Sequence, residues 1–458
     1  MKIRSLCGAS LFAAALPLLF AGCPTESNAP VANSASDVDG GETVRPVEPA
    51  PVAKAAPQDD AEAIAALKAA GVGLATDSAG NVVKANFDSL IVQDEAEVAA
   101  VLAKLSGLPN LREMIMTGPR FGDQSVEHLV GLEELRVVMM EDSGLSDKGA
   151  IQLAALPKLE ALGLRRTNVT DESFRAFAKS KTLKRILPLR TNVTDAGIAA
   201  LAELKTLEAL DLTDCTKVSD EGIAALAGLE KMRLIKLWGS QISSESIKSI
   251  AGWKNLKVLG ADDTKVDDDA AEYMTGFPEL EELYAFRSKV GDACVKALAE
   301  NSKKLRRVRL RDSMVTDAGL SPLAALPNLQ VLDLSECYFD DPTVAAENIA
   351  KIESLQDLNL WYTRMGDPAA EKLASLKNLR SLNLDDNELT DASAPFIAQH
   401  EGLTYLHLGS NRTLSDAVVP ELSKLKNLED LVITFTQISQ DGKAKLAEAL
   451  PKTTITGP

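Results

Sequence analysis

Leu159-Glu160-Ala161-Leu162-Gly163-Leu164-Arg165-Arg166-Thr167-Asn168-Val169-Thr170-Asp171 carries a pattern that the chain repeats. Its opening Leu-x-x-Leu-x-Leu returns as Leu207-Glu208-Ala209-Leu210-Asp211-Leu212, as Leu329-Gln330-Val331-Leu332-Asp333-Leu334 and as Leu379-Arg380-Ser381-Leu382-Asn383-Leu384. Fourteen units start at Leu111, Leu135, Leu159, Leu183, Leu207, Met232, Leu256, Leu280, Leu305, Leu329, Leu355, Leu379, Leu403 and Leu428. Their mean spacing is about 24 residues, the period of a stacked-repeat architecture. Below, positions are counted from the first residue of each unit.

Each unit reads the same way. Leucines at positions four and six alternate with polar residues, which predicts a short strand with one buried face. Val-Thr-Asp or its like follows (Val193-Thr194-Asp195, Val315-Thr316-Asp317), a helix N-cap signal. An Ala/Leu-faced helix comes next, as in Gly222–Leu229. One unit cannot bury its own apolar face, so the units must stack into one cooperative solenoid. An amphipathic helix at 60–70 and a hairpin around Ser78-Ala79-Gly80-Asn81 would cover the first unit. A last helix at 441–450 and residues 453–455 would close the other end. In the unit starting at Leu183, Pro188 takes position six. Either it points inward with one ladder bond missing, or the strand slips by one and buries Leu187 and Leu189.

Over residues 90–452 this pattern resembles leucine-rich repeats, in particular those with a Thr-Asp-x-Gly helix start in planctomycete-type bacterial proteins. It is also similar to the cysteine-containing repeats of F-box proteins and of ribonuclease inhibitor. The resemblance implies an α/β solenoid: a right-handed superhelix with parallel strands on the concave face and helices on the convex face. It also implies that position nine (Thr167, Thr264, Asn387, Cys337) turns the chain inward and hydrogen-bonds neighbouring loop backbone. No F-box precedes the repeats, so that branch's ubiquitin-ligase role does not carry over. Repeats of this kind specify a fold far better than a function.

The N-terminus reads as an address. Lys2 and Arg4 precede an apolar stretch, Leu6 to Phe20, that is too short to span a bilayer and suits a signal peptide over 1–22. Leu19-Phe20-Ala21-Gly22-Cys23 resembles a bacterial lipobox, with Phe20 where leucine is usual. The resemblance implies cleavage before Cys23 and lipid on it, hence an exported protein anchored to a bacterial membrane on its periplasmic or cell-surface side. Residues 23–59 hold six prolines (Pro24, Pro30, Pro46, Pro49, Pro51, Pro57) and read as a tether. The domain plan is therefore 1–22 signal, 23–59 lipid site and tether, 60–110 cap and incomplete repeat, 111–452 fourteen repeats, and 453–458 the end.

The chain has 458 residues and a formal net charge of −17, which argues against nucleic-acid binding. Five cysteines exclude a disulfide scaffold. No HExxH, CxxC pair, Gly-rich phosphate loop or GxSxG appears, so no catalytic residue, metal site or cofactor is expected. Cys215 and Cys337, both at position nine, and Cys294 read as small buried residues. Acid runs such as Asp267-Asp268-Asp269 read as helix caps and solvated surface rather than as a calcium site.

On the concave face the outward columns are positions three, five, seven and eight. Position eight runs Asp142, Arg166, Arg190, Asp214, Gly239, Asp263, Arg287, Asp312, the order of lateral ion-pair ladders. Seven aromatics fall in these columns: Trp238, Phe286 and Trp361 at seven, Tyr284 at five, Tyr405 at three, Tyr362 and Phe435 at eight. Arg307, Arg309 and Arg311 lie beside Tyr284 and Phe286. Exposed Trp, Tyr and Arg are the residues that dominate protein interfaces. The expectation is a non-catalytic scaffold that binds a protein or peptide through Trp238, Tyr284, Phe286, Arg309, Arg311, Trp361 and Tyr362. Glycan binding and a structural envelope role are the alternatives. A second, apolar group (Ile115, Val137, Met139) either binds a partner or packs under the N-terminal hairpin.

Overall fold

The computed structural model describes residues 58–457. The signal-like segment, Cys23 and nearly all of the tether lie outside the described residues. Leucines at positions one, four and six pull each unit's strand against its helix, and stacking does the rest. One apolar core runs unbroken from Leu67 to Leu450. The result is an open α/β solenoid. Seventeen short strands among the described residues form one sheet, and helices line the other side.

The first two strands, β1 (Gly73–Thr76) and β2 (Val82–Asn86), form the expected antiparallel hairpin. Asp77 closes its turn by accepting the N–H groups of Ala79 and Asn81. From β2 onward every pairing is parallel, and each strand pairs with that of the next unit. Register is kept position for position: Val308, Leu332, Leu358, Leu382, Leu406 and Leu431 are successive partners. Equal positions therefore form straight columns across the sheet. The last strand, Thr454–Thr456, pairs with Asp430–Val432.

Pro188 resolves to the first of its two alternatives. The register does not slip: Ile186 stays opposite Leu162 and Leu210. Pro188 and Leu187 are buried, while Leu189 is only partly so. In neighbouring units the position-six N–H donates to the next unit's position-five carbonyl, as Leu164 does to Leu187 and Leu212 to Lys236. Pro188 has no N–H for the Asp211 carbonyl. Its own carbonyl accepts from the Cys215 thiol at 3.1 Å. Cys337 makes the equivalent bond to the Leu310 carbonyl at 3.0 Å, and Asn387 to that of Leu360 at 2.8 Å. Position nine is thus a loop-tying position. Burial raises both thiol pKa values, that of Cys337 to about 11.

The Thr-Asp-x-Gly signature does more than cap its own helix. The Asp171 carboxylate reaches into the next unit and accepts the Thr194 N–H at 2.8 Å and its hydroxyl at 2.7 Å. Asp195 does the same for Ser219 and takes the Gly222 N–H as well. A Cβ at Gly222 would stand 2.4 Å from Asp195 Oδ1, and one at Gly197 2.4 Å from Asp171 Oδ1. Glycine is the residue that lets the neighbouring carboxylate in. The chain of carboxylates fastens successive helix N-termini to one another, where the helix dipoles also favour negative charge.

Candidate binding surface

The site is built on a backbone rule. All fourteen position-eight residues have positive φ: the twelve non-glycines lie between 47° and 60°, with Gly118 at 111° and Gly239 at 100°. That turn lets the position-eight N–H donate to the next unit's position-seven carbonyl, as in Asp142 to Arg165 (2.8 Å) and Arg190 to Thr213 (3.0 Å). The ladder thus continues past the strand to form a rim. The expected ion pairs lie along it: Arg166 with Asp142 (2.7 Å), Arg190 with Asp214, and Arg287 with Asp263 (2.5 Å).

The aromatics and arginines of units eight to eleven make one strip. The Arg287 guanidinium lies 4.3 Å from the Phe286 ring centre. Arg311 lies between Phe286 (4.6 Å) and Trp361 (4.9 Å) and is held by Glu336 at 2.7 Å. Ser335, small at position seven between them, leaves room for that reach. Trp361 adjoins Tyr362 at 6.4 Å between ring centres. Trp238 stands apart, its indole N–H bonded to Asp263 at 2.9 Å. Trp238, Phe286, Arg309, Arg311 and Trp361 are partly exposed, and Tyr362 is 59% exposed.

Tyr284 is a correction. It is 7% exposed, so it does not present its ring as strand alternation predicts. Its hydroxyl donates to the buried Glu282 carboxylate at 2.5 Å. Lys236 lies across Gly260, whose added Cβ would meet Lys236 Cγ at 3.0 Å, and brings its ammonium 5.8 Å from the Tyr284 ring. Arg309 covers the ring at 5.7 Å. Beside them Lys236 pairs with Asp211 at 3.2 Å. Asp262 accepts the Phe286 N–H at 2.8 Å, and burial raises its carboxyl pKa to about 6. In the N-terminal apolar group, Val137 is buried and Met139 lies over Gly163, with Sδ 2.3 Å from where a Cβ would be. Ile115 and Met139 are half-buried.

Two exposed residues went unpredicted. Met314 (65%) and Tyr338 (68%) occupy position ten, just past the turn, with Arg364 5.9 Å from the Tyr338 ring centre. The signal was available: position ten elsewhere holds polar residues such as Asn168, Asn192, Lys265 and Lys289. Further along, position five gives Asp333, Asn359, Asn383 and His407 in register. Each uses an acceptor atom on its own backbone N–H two residues on, as Asn359 does for Trp361 (3.2 Å) and Asn383 for Asp385 (3.0 Å). Among the described residues no three His, Cys, Asp or Glu side chains gather to hold a metal ion.

Comparison with known proteins places this architecture. The Leucine Rich repeat family model matches residues 203–227 and 375–398. No match was found among curated protein sequences. Among solved structures the chain is similar to an internalin of Listeria monocytogenes, with 19% identity and a TM-score of 0.51, over 79% of this chain and 93% of that one. It is similar to yeast Rad7, solved in complex with Elc1, with 17% identity and a TM-score of 0.50, over 80% and 89%. A leucine-rich-repeat protein of Leptospira interrogans matches with 17% identity and a TM-score of 0.49, over 80% and 98%. The chain is a leucine-rich-repeat α/β solenoid, and the likenesses to the internalin and to the Rad7–Elc1 structure speak to its fold.

Proposed function

We propose that the chain is a non-catalytic scaffold that binds a protein or peptide through its concave face. The observation that carries this is the strip of contacting rings and guanidinium groups from Arg287 to Tyr362, with Tyr338 and Met314 exposed at its edge. A preformed sheet loses little ordering entropy on binding, and Trp, Tyr and Arg give the largest contact energies. Yeast Rad7, a solenoid of similar fold, was solved with a protein partner.

The N-terminal reading completes the proposal: export, lipid on Cys23, and display at a bacterial envelope on the tether. Labelled palmitate should enter the wild-type protein in its host and not the Cys23→Ser variant. Equal labelling of both would remove the anchor. For the binding reading, the purified chain should capture a protein from envelope extracts. Trp238→Ala with Trp361→Ala should abolish the capture. Unchanged capture by that double variant would sink the concave-face reading, and signal on a glycan array alone would favour the saccharide alternative.

A further inference from the structure

The concave face is electrostatically uneven. In units two to eight its acids are mostly spent on neighbours. Glu141 pairs with Arg165 (3.5 Å), Asp142 with Arg166 (2.7 Å), Asp211 with Lys236 (3.2 Å) and Asp263 with Arg287 (2.5 Å). In units ten to fourteen the outward columns hold Asp333, Glu336, Asp357, Asp385, Asp386 and Asp430, and no Lys or Arg at all. Only Glu336 has a cationic partner in contact, Arg311. From unit nine, Arg309 is the cross-strand partner of Asp333, and Arg309 and Arg307 act on Asp357 at longer range. Arg364 and Arg380 are engaged with Glu388 (3.3 Å) and the Gly402 carbonyl (3.2 Å).

The same units carry Trp361, Tyr362, Tyr405 and Phe435 in the outward columns, and Phe435 is 79% exposed. Aromatic faces beside carboxylates are what a Lys or Arg side chain seeks, and Trp361 already takes one guanidinium from within the chain. Asp385 adds an independent sign. Its Oδ1 has no hydrogen-bond donor. The nearest ring nitrogen, His407 Nδ1 at 3.6 Å, is itself placed to accept the Gly409 N–H at 3.3 Å. With His407 neutral, two acceptors face one another, and burial disfavours the proton that would reconcile them.

We propose that the concave face of units ten to fourteen docks a Lys/Arg-bearing segment of a protein partner, its cationic groups set against Asp357 and Asp385 and over the Tyr362 and Tyr405 rings. This rests on the concave-face reading above and adds the chemistry of the partner. Like-signed charge on the rest of this acidic chain would speed the approach of such a segment without fixing where it lands.

The test is the binding of a fluorescent peptide of alternating Lys and Ser to the full chain, read by anisotropy at low and raised salt. Affinity should fall with salt. It should also fall about tenfold or more in Asp357→Asn with Asp385→Asn, the scale of losing charge-assisted hydrogen bonds. Both changes preserve side-chain shape. A charge-matched control on the helices, Glu221→Gln with Glu371→Gln, should bind as wild type. An equal loss in both double variants would show diffuse attraction and overturn the proposal. So would binding of a Glu-Ser peptide or a neutral chito-oligosaccharide in place of the basic peptide. If Trp361→Ala weakens partner capture while Asp357→Asn with Asp385→Asn leaves it intact, the surface stands and the cationic partner falls. If neither changes capture, both fall.

Discussion

Asp262 shows how a single residue on this face couples to pH. Its carboxyl is buried beside Lys236 yet shares that cation with Asp211 and has Asp263 next to it, so burial dominates and the pKa rises from 3.8 to about 6. A raised acid pKa means that the folded chain holds a proton the unfolded chain has released. The contribution is complete below pH 3.8, shrinks as pH rises through 6, and leaves the ionised state costing about 3 kcal/mol. Asp262→Asn keeps the acceptor for the Phe286 N–H. It should raise the unfolding midpoint at pH 8 and lose that advantage below pH 4, measured by denaturant titration at both values. An equal gain at both would rule out the ionisation as its cause. Tyr362 illustrates a different constraint. Its φ of 55° disfavours β-branched side chains. Tyr362→Ile should destabilise the chain by about 1–2 kcal/mol, whereas Tyr362→Asn should remove the ring with little loss, since Asn tolerates this conformation. Loss of equal size in both would point to the ring rather than the backbone.

At the scale of the element, the carboxylate that enters the next helix makes a signed prediction. In a helix interior Gly→Ala ordinarily gains about 1 kcal/mol. Gly222→Ala should instead cost about 1–2 kcal/mol, because the new Cβ meets Asp195 Oδ1. Asp195→Ala in the same chain should make the glycine change far less harmful, a coupling readable in a double-mutant cycle. A stabilising Gly222→Ala would refute the packing account. Strands and their columns were legible in the sequence, because leucine spacing reports burial directly, and the loop-tying position nine followed from the resemblance to leucine-rich repeats. The carboxylate clamp was not: Thr-Asp reads as a local cap, and its real partner lies a whole unit away. Alternation also failed at Tyr284, where the lysine stem crossing Gly260 and the arginine above close over a ring that its strand position turns outward. Tyr338 and Met314 were missed for a simpler reason. The column logic stopped at the strand's end, and they stand just beyond the turn.

For the whole molecule, the fourteen units settle into one sheet with two ends to protect. The hairpin covers the first, and Thr454–Thr456 pairs with the last unit. An uncovered strand offers its N–H and C=O groups to any other chain. Deleting residues 453–458 should bare Asp430–Val432 and promote self-association in sedimentation experiments. A variant that stays monomeric would show that the unit-fourteen strand needs no partner. The sequence predicted the address and tether as well, but they lie outside the described residues and rest on the palmitate experiment.

The rim at position eight has a consequence for how this surface can change. Twelve non-glycine side chains leave the backbone at nearly the same φ, so each is launched in a similar direction, one unit apart. No valine, isoleucine or threonine occurs among them. The rim behaves like a keyboard of fixed pitch: the key at any unit can be exchanged for Asp, Arg, Ser, Tyr or Phe without retuning its neighbours, provided that the β-branched letters are left out. New partners can therefore be tried by substitutions at this column while the leucines beneath keep the fold.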